Sequence, residues 1–364
     1  MAKKKPLILS LVGARPQFIK VAPLAGVISR RFLHHIIHTG QHYDLMMSEV
    51  FFRELAIPGV ARNLGVGSGH HAEMTAKIML RFEKLLLRQK PDLVLVYGDT
   101  NSTIAGALTA AKMNIPVGHV EAGLRAFRRN MPEEINRVLT DHVSSLLFCP
   151  TAQAVKNLRK EGIIRGIVRC GDLMYELIED SRRRILTNRR ILNRYGLVER
   201  EYLLLTLHRA ETVDYREKLA GLVDIISRLP IPVIFPVHPR ALKNLRRFRQ
   251  LKRLLDSPGV QLIDPLSYLD NLSLIARARA VLTDSGGMQK ESVFLGIPCL
   301  TLREETEWPE TLRRGNRLVG LSERKIMAAL SAAGHSTRRI SCRIRGQKPS
   351  TIIIESLLKF LKGR

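Results

Sequence analysis

Three carboxylates in the first half of the sequence follow predicted strands or open a predicted helix. Asp99 comes after one apolar run, Glu121 ends the next, and Glu133 stands in the first turn of a helical segment. Each has an ordinary explanation, since Asp99 could be a helix N-cap and helix-dipole rules favour an acid at Glu133. Arg125 could simply pair with Glu121. Three acids gathered at one sheet edge, however, raise one another's pKa values and can form acid/base pairs, so the pattern favours proton-transfer chemistry.

A cationic turn follows the first predicted strand. Gly13 allows a tight turn there, and Pro16 can start a helix. Arg15 and Lys20 then lie near the positive end of that helix, which suits a phosphate group. An ordinary strand-to-helix turn with surface cations is an equally good interpretation of this segment alone.

The second half contains a strand that leads through a Gly-Gly turn into a helix. The Ser285–Gly287 turn lets backbone N–H groups approach a diphosphate closely while a hydroxyl group assists. Glu291, one turn into the helix, could accept hydrogen bonds from ribose hydroxyls. His208 and His238 each stand just past a predicted strand, although a lone histidine is usually structural.

Other nucleotide-site motifs are missing from the sequence. The glycine-rich stretch Gly65–Gly69 follows no predicted strand and lacks the third glycine of the dinucleotide fingerprint, so we interpret it as a mobile loop. A Walker A sequence, a nucleophile elbow and a His-Glu-x-x-His helix are also absent. The sequence therefore predicts a bound nucleotide without redox chemistry, ATP hydrolysis, a cofactor or a metal.

Short runs of β-branched residues or leucine alternate with longer amphipathic segments along the chain, which is typical of repeated strand-helix units. The fold class is therefore α/β, with two Rossmann-like doubly wound parallel-sheet domains that face each other across a cleft. Ligands of such sheets bind beyond the carboxyl ends of the strands. We predict strands at Leu7–Val12, His35–His38, Leu93–Tyr97, Val117–Glu121, Leu146–Cys149, Val168–Cys170, Leu203–Leu207, Val233–Val237, Val260–Ile263, Ala280–Thr283 and Cys299–Leu302.

A domain boundary is expected near Asp172, because the helix predicted from Met174 to about Tyr195 is long, very basic and leads into a fresh strand-helix series. The last helix, predicted at Ile352–Lys362, could cross back to the first domain. The predicted organisation is an N-terminal domain at residues 1–172, a nucleotide-binding domain at 173–346 and the C-terminal helix within 347–364.

Composition restricts the class of protein. With 364 residues, 45% of them hydrophobic, the chain can bury a substantial core, and no apolar run approaches the roughly 18 to 20 residues that cross a bilayer. The lysine-rich start lacks a signal-peptide cleavage site, so we expect a soluble cytoplasmic protein that does not bind membranes. Its four cysteines have no zinc or redox spacing and are expected to be reduced core residues: Cys149, Cys170, Cys299 and Cys342.

The formal net charge of +26 is the most unusual compositional feature. Basic clusters fall at residues 182–200 and 240–253, where they alternate with leucine and isoleucine as on the solvated faces of core-packed helices. The aromatic residues that single-strand binders interleave with cations are missing. We therefore predict a solvated basic surface and no nucleic-acid partner, with a basic RNA-binding protein as the remote alternative.

Taken together, the motifs resemble those of the non-hydrolysing UDP-N-acetylglucosamine 2-epimerases. The resemblance implies a glycosyltransferase-B-like fold, often a homodimer, that interconverts UDP-GlcNAc and UDP-ManNAc for cell-surface polysaccharide precursors. It runs over nearly the whole chain, at Gly13–Lys20, Thr39–His42, Gly98–Thr103, His119–Arg125, Pro132–Arg137, His208–Glu211, Pro236–His238, Asp284–Glu291 and Glu305–Glu310.

The resemblance also implies roles for residues at matching positions. Asp99, Glu121 and Glu133 look like the acid/base carboxylates, and His208 resembles the histidine that assists the diphosphate leaving group. By the same resemblance Glu291 would bind the ribose. The groups implied for the diphosphate are Arg15, Ser285, Gly286 and Gly287, and those implied for sugar or phosphate contacts are Lys20, Arg137 and His238.

Two departures from the family pattern bear on the substrate. Many relatives have arginine at Trp308 and glutamate at Lys290, which leaves the exact sugar open. Activation by a second UDP-GlcNAc is also open. The resemblance implies that bacterial members often bind this activator through polar residues around Gln41-His42 and a downstream Arg-Gln pair. In this chain the downstream region reads Gly69-His70-His71-Ala72-Glu73 instead. The alternatives are a hydrolysing epimerase that releases ManNAc and UDP, a 2-epimerase of a UDP-diacetamido-uronic acid and, less favoured, a glycosyltransferase of the same fold.

Overall fold

The computed structural model describes residues 5–41, 51–333 and 346–363. The chain divides into two compact units, one of Met1–Leu177 with Ile344–Arg364 and the other of Ile178–Arg343. Each unit contains one sheet whose strands all run parallel. The predicted α/β class with two parallel sheets is therefore confirmed.

The sheet of the first unit has seven strands. They are β1 (Leu7–Val12), β2 (Leu33–His38), β3 (Arg62–Asn63), β4 (Leu93–Tyr97), β5 (Val117–Val120), β6 (Leu146–Cys149) and β7 (Ile167–Arg169). Their order is β3-β2-β1-β4-β5-β6-β7, so the winding reverses between β1 and β4. The helices that follow these strands are α1 (Arg15–Arg31), α2 (His71–Gln89), α3 (Asn101–Lys112), α4 (Pro132–Val143), α5 (Ala152–Lys160) and α6 (Leu173–Thr187).

The sheet of the second unit has six strands, β8 (Leu203–Thr206), β9 (Val233–Pro236), β10 (Val260–Ile263), β11 (Ala280–Thr283), β12 (Cys299–Thr301) and β13 (Asn316–Leu318). In the order β10-β9-β8-β11-β12-β13 the winding reverses between β8 and β11. The remaining helices are α7 (Arg190–Tyr195), α8 (Ala210–Val213), α9 (Arg216–Ser227), α10 (Pro239–Arg247), α11 (Leu251–Leu255), α12 (Tyr268–Ile275), α13 (Gly286–Phe294), the 3₁₀ turn Pro309–Arg314, α14 (Glu323–Ala333) and α15 (Pro349–Lys362).

Continuous apolar runs become the central strands because both of their faces are covered. All five residues of β4 are buried, as expected for a strand inside a parallel sheet. On α3, a Cβ placed at Gly106 would lie 2.4 Å from the side chain of Leu11 in β1, so only glycine allows this helix to lie so close to the sheet. The tight packing fixes the start of α3 at the carboxyl end of the strands.

The C-terminal helix α15 belongs to the first unit. It contacts α1, and its first turn is held by Glu176 of α6, whose carboxylate accepts from the Ser350 backbone N at 2.8 Å and from its hydroxyl at 2.5 Å. The helix begins at Pro349, three residues earlier than predicted, because proline is well suited to a first helical turn.

Two predictions of secondary structure were wrong. The single helix expected from Met174 to about Tyr195 is two helices, α6 ending at Thr187 and α7 beginning at Arg190. Between them the Asn188 side chain donates to Asp270 at 2.8 Å. The short strands β3 and β13 were missed because two or three residues of mixed polarity carry no periodic signal.

Two expectations drawn from the composition, on membrane-spanning helices and on the cysteines, can be compared with the structure. No helix among the described residues is both long and apolar enough to cross a bilayer. Cys149, Cys170 and Cys299 are free and buried, and burial raises the pKa of the Cys149 and Cys299 thiols to about 12, as expected of inert core thiols. Cys342 lies outside the described residues.

Candidate functional site

Two of the predicted carboxylates lie at the carboxyl edge of the first sheet, and each is paired with a cation. The Asp99 carboxylate is 2.5 Å from Arg137 Nη2, and Glu121 forms an ion pair with Lys20. The N-cap explanation for Asp99 is wrong, since Thr100 occupies that position. Arg125 is not the partner of Glu121 either; it binds two other acids.

The backbone that carries Glu121 is strained. Glu121 has φ +75°, a left-handed conformation that costs a non-glycine residue energy and is concentrated at functional sites. Gly98, in the adjacent turn, has φ +64°, and a Cβ there would lie 3.0 Å from Lys20 Nζ and 3.5 Å from Glu121 Oε2. Residue 98 must therefore be glycine for the ion pair to stand beside the turn that carries Asp99.

The start of α4 is bonded to the Asp99 turn. Asn136 donates to the Asp99 carbonyl at 2.8 Å, and Arg137 bridges Asp99 to Glu134, whose Oε2 is 2.9 Å from Nη1. Glu134 is buried and also accepts the backbone N–H groups of residues 126 and 127. Glu133, by contrast, is exposed, so its carboxylate is available at the first turn of α4.

A buried glutamine organises the predicted phosphate turn. Gln17 Oε1 accepts from the backbone N of Gly13 at 2.6 Å and of Ala14 at 3.0 Å, while its Nε2 donates to the Tyr97 carbonyl at 2.8 Å. The turn after β1 is thus fastened to the end of β4. The Arg15 guanidinium lies 4.5 Å from the centre of the Phe51 ring, a cation–π contact that orients it.

A buried charged cluster lies beneath the carboxylates. His119 Nδ1 is 2.7 Å from Asp141 Oδ1, and Asp141 Oδ2 is 2.7 Å from Arg125 Nη1. Arg125 in turn makes a bidentate pair with Glu161 at 2.7 and 2.6 Å. Burial alone would raise the pKa of the Asp141 carboxyl, but His119 and Arg125 outweigh it and hold that pKa below its ordinary value.

In the second unit the central feature is a histidine held by a buried aspartate. Asp284, at the end of β11, is fully buried and lies 3.0 Å from His208 Nδ1. It also accepts the backbone N–H groups of His208 and Arg209, each at 3.0 Å. Although burial raises the pKa of Asp284, these hydrogen bonds and the histidine lower it overall. Because the carboxylate accepts, Nδ1 donates and leaves Nε2 of His208 for chemistry.

His238 lies beside this pair, its ring centre 5.7 Å from that of His208. Its Nδ1 accepts from the backbone N of Arg240 at 3.2 Å and so caps α10. This capping hydrogen bond gives Nδ1 of His238 a structural role, as is usual for a lone histidine.

The predicted glycine turn forms the N-terminus of α13. Ser285 is the N-cap, and its hydroxyl accepts from the backbone N of Met288 at 3.4 Å. A Cβ at Gly286 would lie 2.3 Å from Glu307 Oε1, so the turn requires glycine. Arg209 Nη2 is 3.1 Å from the same oxygen. Backbone N–H groups and a nearby guanidinium make this helix terminus suitable for an anion.

The two departures from the family pattern touch each other. Lys290 Nζ lies 3.7 Å from the centre of the Trp308 ring, and both residues are buried. Lys290 and Trp308 therefore form a cation–π pair. Glu291, beside Lys290 on α13, is also buried.

Four buried residues that support the candidate site were not predicted from the sequence. Gln17, Asp141, Asp284 and Glu307 are all buried and bonded to candidate groups or to the turns that carry them. Asp284, directly after a predicted strand, carried the same signal as Asp99. His42 lies outside the described residues, whereas Gln41 accepts from the Ser102 hydroxyl at 2.7 Å. In the described part of the chain no three His, Cys, Asp or Glu side chains could together hold a metal ion.

Comparison with known proteins finds one family. Residues 28–349 match the family model described as UDP-N-acetylglucosamine 2-epimerase. A "UDP-N-acetylglucosamine 2-epimerase homolog" of Methanococcus maripaludis is 47% identical over 96% of this chain and 99% of its own. The "UDP-2,3-diacetamido-2,3-dideoxy-D-glucuronate 2-epimerase" of Pseudomonas aeruginosa is 43% identical over 97% and 99%.

Solved structures show the same relationship. The UDP-GlcNAc 2-epimerase of Methanocaldococcus jannaschii, solved in complex with UDP-GlcNAc and UDP, superposes with a TM-score of 0.89 at 42% identity and covers 97% of this chain and 99% of its own. A UDP-glucosyltransferase of Polygonum tinctorium shares the fold alone, with a TM-score of 0.63 at 12% identity over the whole of both chains.

Proposed function

This chain belongs to the UDP-N-acetylglucosamine 2-epimerase family, and on that premise we propose that it inverts C2 of UDP-N-acetylglucosamine to give UDP-N-acetylmannosamine without net hydrolysis. The observation that carries the proposal is the pair of carboxylates at one sheet edge. Asp99 and Glu121 stand in adjacent turns, each beside its own cation, and would supply the two separate acid/base groups that inversion at C2 needs.

The chemistry needs both proton transfer and departure of the nucleotide. C2 bears an acetamido group with no adjacent carbonyl, so its proton is too weakly acidic for direct removal by a carboxylate. When the C1–O bond breaks, UDP leaves with the bonding electrons and C1 becomes electron-poor. A base then takes the C2 proton, and the C–H electrons form the double bond of a 2-acetamidoglucal.

Return of UDP to C1 and delivery of a proton to the opposite face of C2 complete the inversion. Asp99, Glu121 and Glu133 supply the acid/base groups in this scheme. General acid/base catalysis contributes about 100- to 10,000-fold for each positioned group. Lys20 and Arg137 orient the Glu121 and Asp99 carboxylates through the ion pairs that they form with them.

The second unit supplies the groups that would hold the leaving nucleotide. His208, oriented by Asp284, presents Nε2 toward the developing phosphate charge. The α13 N-terminus at Ser285, Gly286 and Gly287 would bind the diphosphate, and Glu291 the ribose. Arg15 is a further diphosphate ligand in this proposal, with His238 and the paired cations Lys20 and Arg137 close to the sugar or phosphates.

A second substrate is the UDP-diacetamido-uronic acid on which the P. aeruginosa relative is named to act. The specific observation that favours it is the buried Lys290, which could receive a carboxylate near the nucleotide-binding turn. Competition between the two UDP-sugars at equal concentration decides the order of preference. A higher kcat/KM for the uronic acid would make it the physiological substrate.

The test of the activity is incubation with UDP-GlcNAc in deuterated water, followed by NMR at C2. An epimerase incorporates deuterium at C2 and forms UDP-ManNAc. A hydrolysing enzyme releases free ManNAc and UDP, and a glycosyltransferase or a nucleic-acid-binding protein incorporates no deuterium. Either of the last two outcomes contradicts the proposal.

A homodimer is also proposed. Ile135 and Leu139, one turn apart on α4, are each 49% exposed, and Leu80 and Leu87 on α2 are 61% and 60% exposed. Both helices contact α3, so the four apolar side chains belong to neighbouring helices of one unit, as at self-association surfaces. Sedimentation equilibrium that shows only monomer at assay concentrations would contradict this.

The cellular setting is proposed from the same premise. The enzyme would act in the cytoplasm on nucleotide sugars destined for polysaccharides, in keeping with the free thiols of Cys149, Cys170 and Cys299. The basic surface is proposed to have no nucleic-acid partner. Salt-sensitive RNA binding that UDP does not displace would contradict that part.

A further inference from the structure

His119 joins the two turns that carry Asp99 and Glu121. It lies in β5, two residues before Glu121, and its Nε2 is 2.8 Å from the carbonyl oxygen of Gly98, which directly precedes Asp99. A carbonyl oxygen only accepts, so Nε2 carries a hydrogen and donates it. The Gly98 backbone N bonds the Val120 carbonyl at 3.0 Å, so backbone and side chain fasten the same turn to β5.

The other ring nitrogen faces an ionised acid. His119 Nδ1 is 2.7 Å from Asp141, which also accepts the Gly123 backbone N at 3.1 Å and lies 2.7 Å from Arg125. The Asp141 carboxylate is a hydrogen-bond acceptor, as the Gly98 carbonyl is. Each ring nitrogen of His119 is therefore within hydrogen-bond distance of an acceptor, and the ring joins the two.

The charged side chains around His119 are paired with side chains of opposite charge. His119 faces Asp141, and Arg125 is matched by Glu161, which His142 approaches at 3.7 Å. His119 and Asp141 side chains are completely buried, so their desolvation is costly and removing either partner would leave a buried charge uncompensated. A neutral apolar residue would fill the same space without that cost, and the arrangement therefore indicates a role in orientation.

We propose that His119 is a positioning residue for the C2 epimerisation: held by Asp141, it fixes the Gly98–Asp99 turn against the strand end that carries Glu121. The inference rests on the proposed function. His119 itself touches no substrate, since its side chain is fully buried. It acts through the spacing of the two acid/base carboxylates, and a misplacement of about 1 Å can cost about 100-fold in rate.

Two variants separate the two hydrogen bonds. The amide nitrogen of His119→Gln reaches the place of Nε2 and can still donate to Gly98, whereas that of His119→Asn reaches only the place of Nδ1. We expect His119→Asn to lower kcat about 100-fold with KM and UDP affinity within about threefold of the unmodified enzyme. His119→Gln is expected to recover about tenfold of that loss.

His34→Asn is the matched control. His34 lies in β2 of the same sheet and bonds Ser10 at 2.8 Å, so its loss removes a comparable polar contact away from the carboxylates. We expect it to lower the melting temperature and leave kcat unchanged. Equal kcat losses in both His119 variants, or a kcat loss in His34→Asn as large as theirs, would overturn the inference.

A measurement on the unmodified enzyme covers the case in which the variants do not fold. With ¹⁵N-labelled histidine, we expect one ring whose Nε2–H exchanges slowly with solvent, because it is buried and donates to the Gly98 carbonyl. This signal should be absent from the His119→Gln spectrum when that variant can be made. Absence of any such ring overturns the inference in an active enzyme. Failure of the unmodified protein to incorporate deuterium at C2 contradicts the proposed function instead.

Discussion

The two sheets end in different electrostatic environments, although both are parallel and each reverses its winding between two of its central strands. At the first edge, acids are paired with single cations, Asp99 with Arg137 and Glu121 with Lys20. At the second edge, the acid is buried behind a histidine, and the outward groups are Nε2 of His208 and the N-terminus of α13. Under the proposed function, the carboxylates of the first edge exchange protons and the second edge receives an anion.

The comparison teaches that chemistry is assigned by a few residues at strand ends and not by the architecture. Asp99 and Asp284 occupy equivalent places, each just after the central strand beyond the reversal point. Asp284 is fully buried and binds the His208 ring and two backbone N–H groups, whereas the side chain of Asp99 is 30% exposed. Burial, and not residue type, separates their roles.

Removing a carboxylate from the first edge is expected to have the largest effect. Asp99→Asn or Glu121→Gln should reduce deuterium incorporation at C2 by about 100- to 10,000-fold, because the acid/base group is lost while its shape is kept. UDP affinity, measured by calorimetry, should stay within about threefold if the nucleotide is held by the other edge. Glu83→Gln, an exposed change on α2, is the control and should leave both quantities unchanged.

Full activity in either carboxylate variant would break the comparison, since that edge would then have no part in proton transfer. A large loss of UDP affinity in both variants would also contradict it, because Asp99 and Glu121 would then be needed to bind the nucleotide and not only to transfer protons.

A change at the second edge is expected to act on affinity. Gly286→Ala places a methyl group 2.3 Å from Glu307 Oε1, displacing the carboxylate that holds Arg209. We expect UDP binding to weaken about tenfold, or about 1.4 kcal/mol. Gly221→Ala, on α9 with no atom within 4 Å of the added carbon, is the matched control. Unchanged UDP affinity in Gly286→Ala would move the diphosphate away from α13.

The smallest effect is expected from a change in the cation–π pair of Lys290 and Trp308. Lys290→Met keeps the side-chain stem but removes the cation–π contact with Trp308, and should lower the free energy of unfolding by about 0.5–2 kcal/mol. Urea unfolding of the single variants and of the double variant with Trp308→Leu measures the coupling. Strictly additive losses would show that the two residues do not stabilise each other.

The sheets could be predicted from sequence because their strands are continuous apolar runs, as in β4 and β11. Strand ends were less certain. Glu121 was placed within a strand, but its left-handed φ ends β5 at Val120. The sequence pattern does not predict this left-handed conformation, because glutamate is not a residue type that favours it.

The candidate carboxylates could be predicted, but their partners could not. Arg125 is four residues from Glu121 and would have been the economical partner, yet it is committed to Asp141 and Glu161. Lys20 reaches Glu121 from a helix about a hundred residues earlier in the chain. The order of the strands in the sheet decides which cation pairs with which acid. The spacing of residues along the sequence does not predict that order.

The link between Glu176 and Ser350 has a consequence for biosynthesis. These residues are 174 positions apart, and everything between Ile178 and Arg343 forms the other unit. On the ribosome, the second unit is therefore complete in sequence before the first has received its closing helix. The surface of α1 that α15 contacts therefore stays uncovered until that helix has been synthesised, so a truncation that removes α15 should destabilise the first unit.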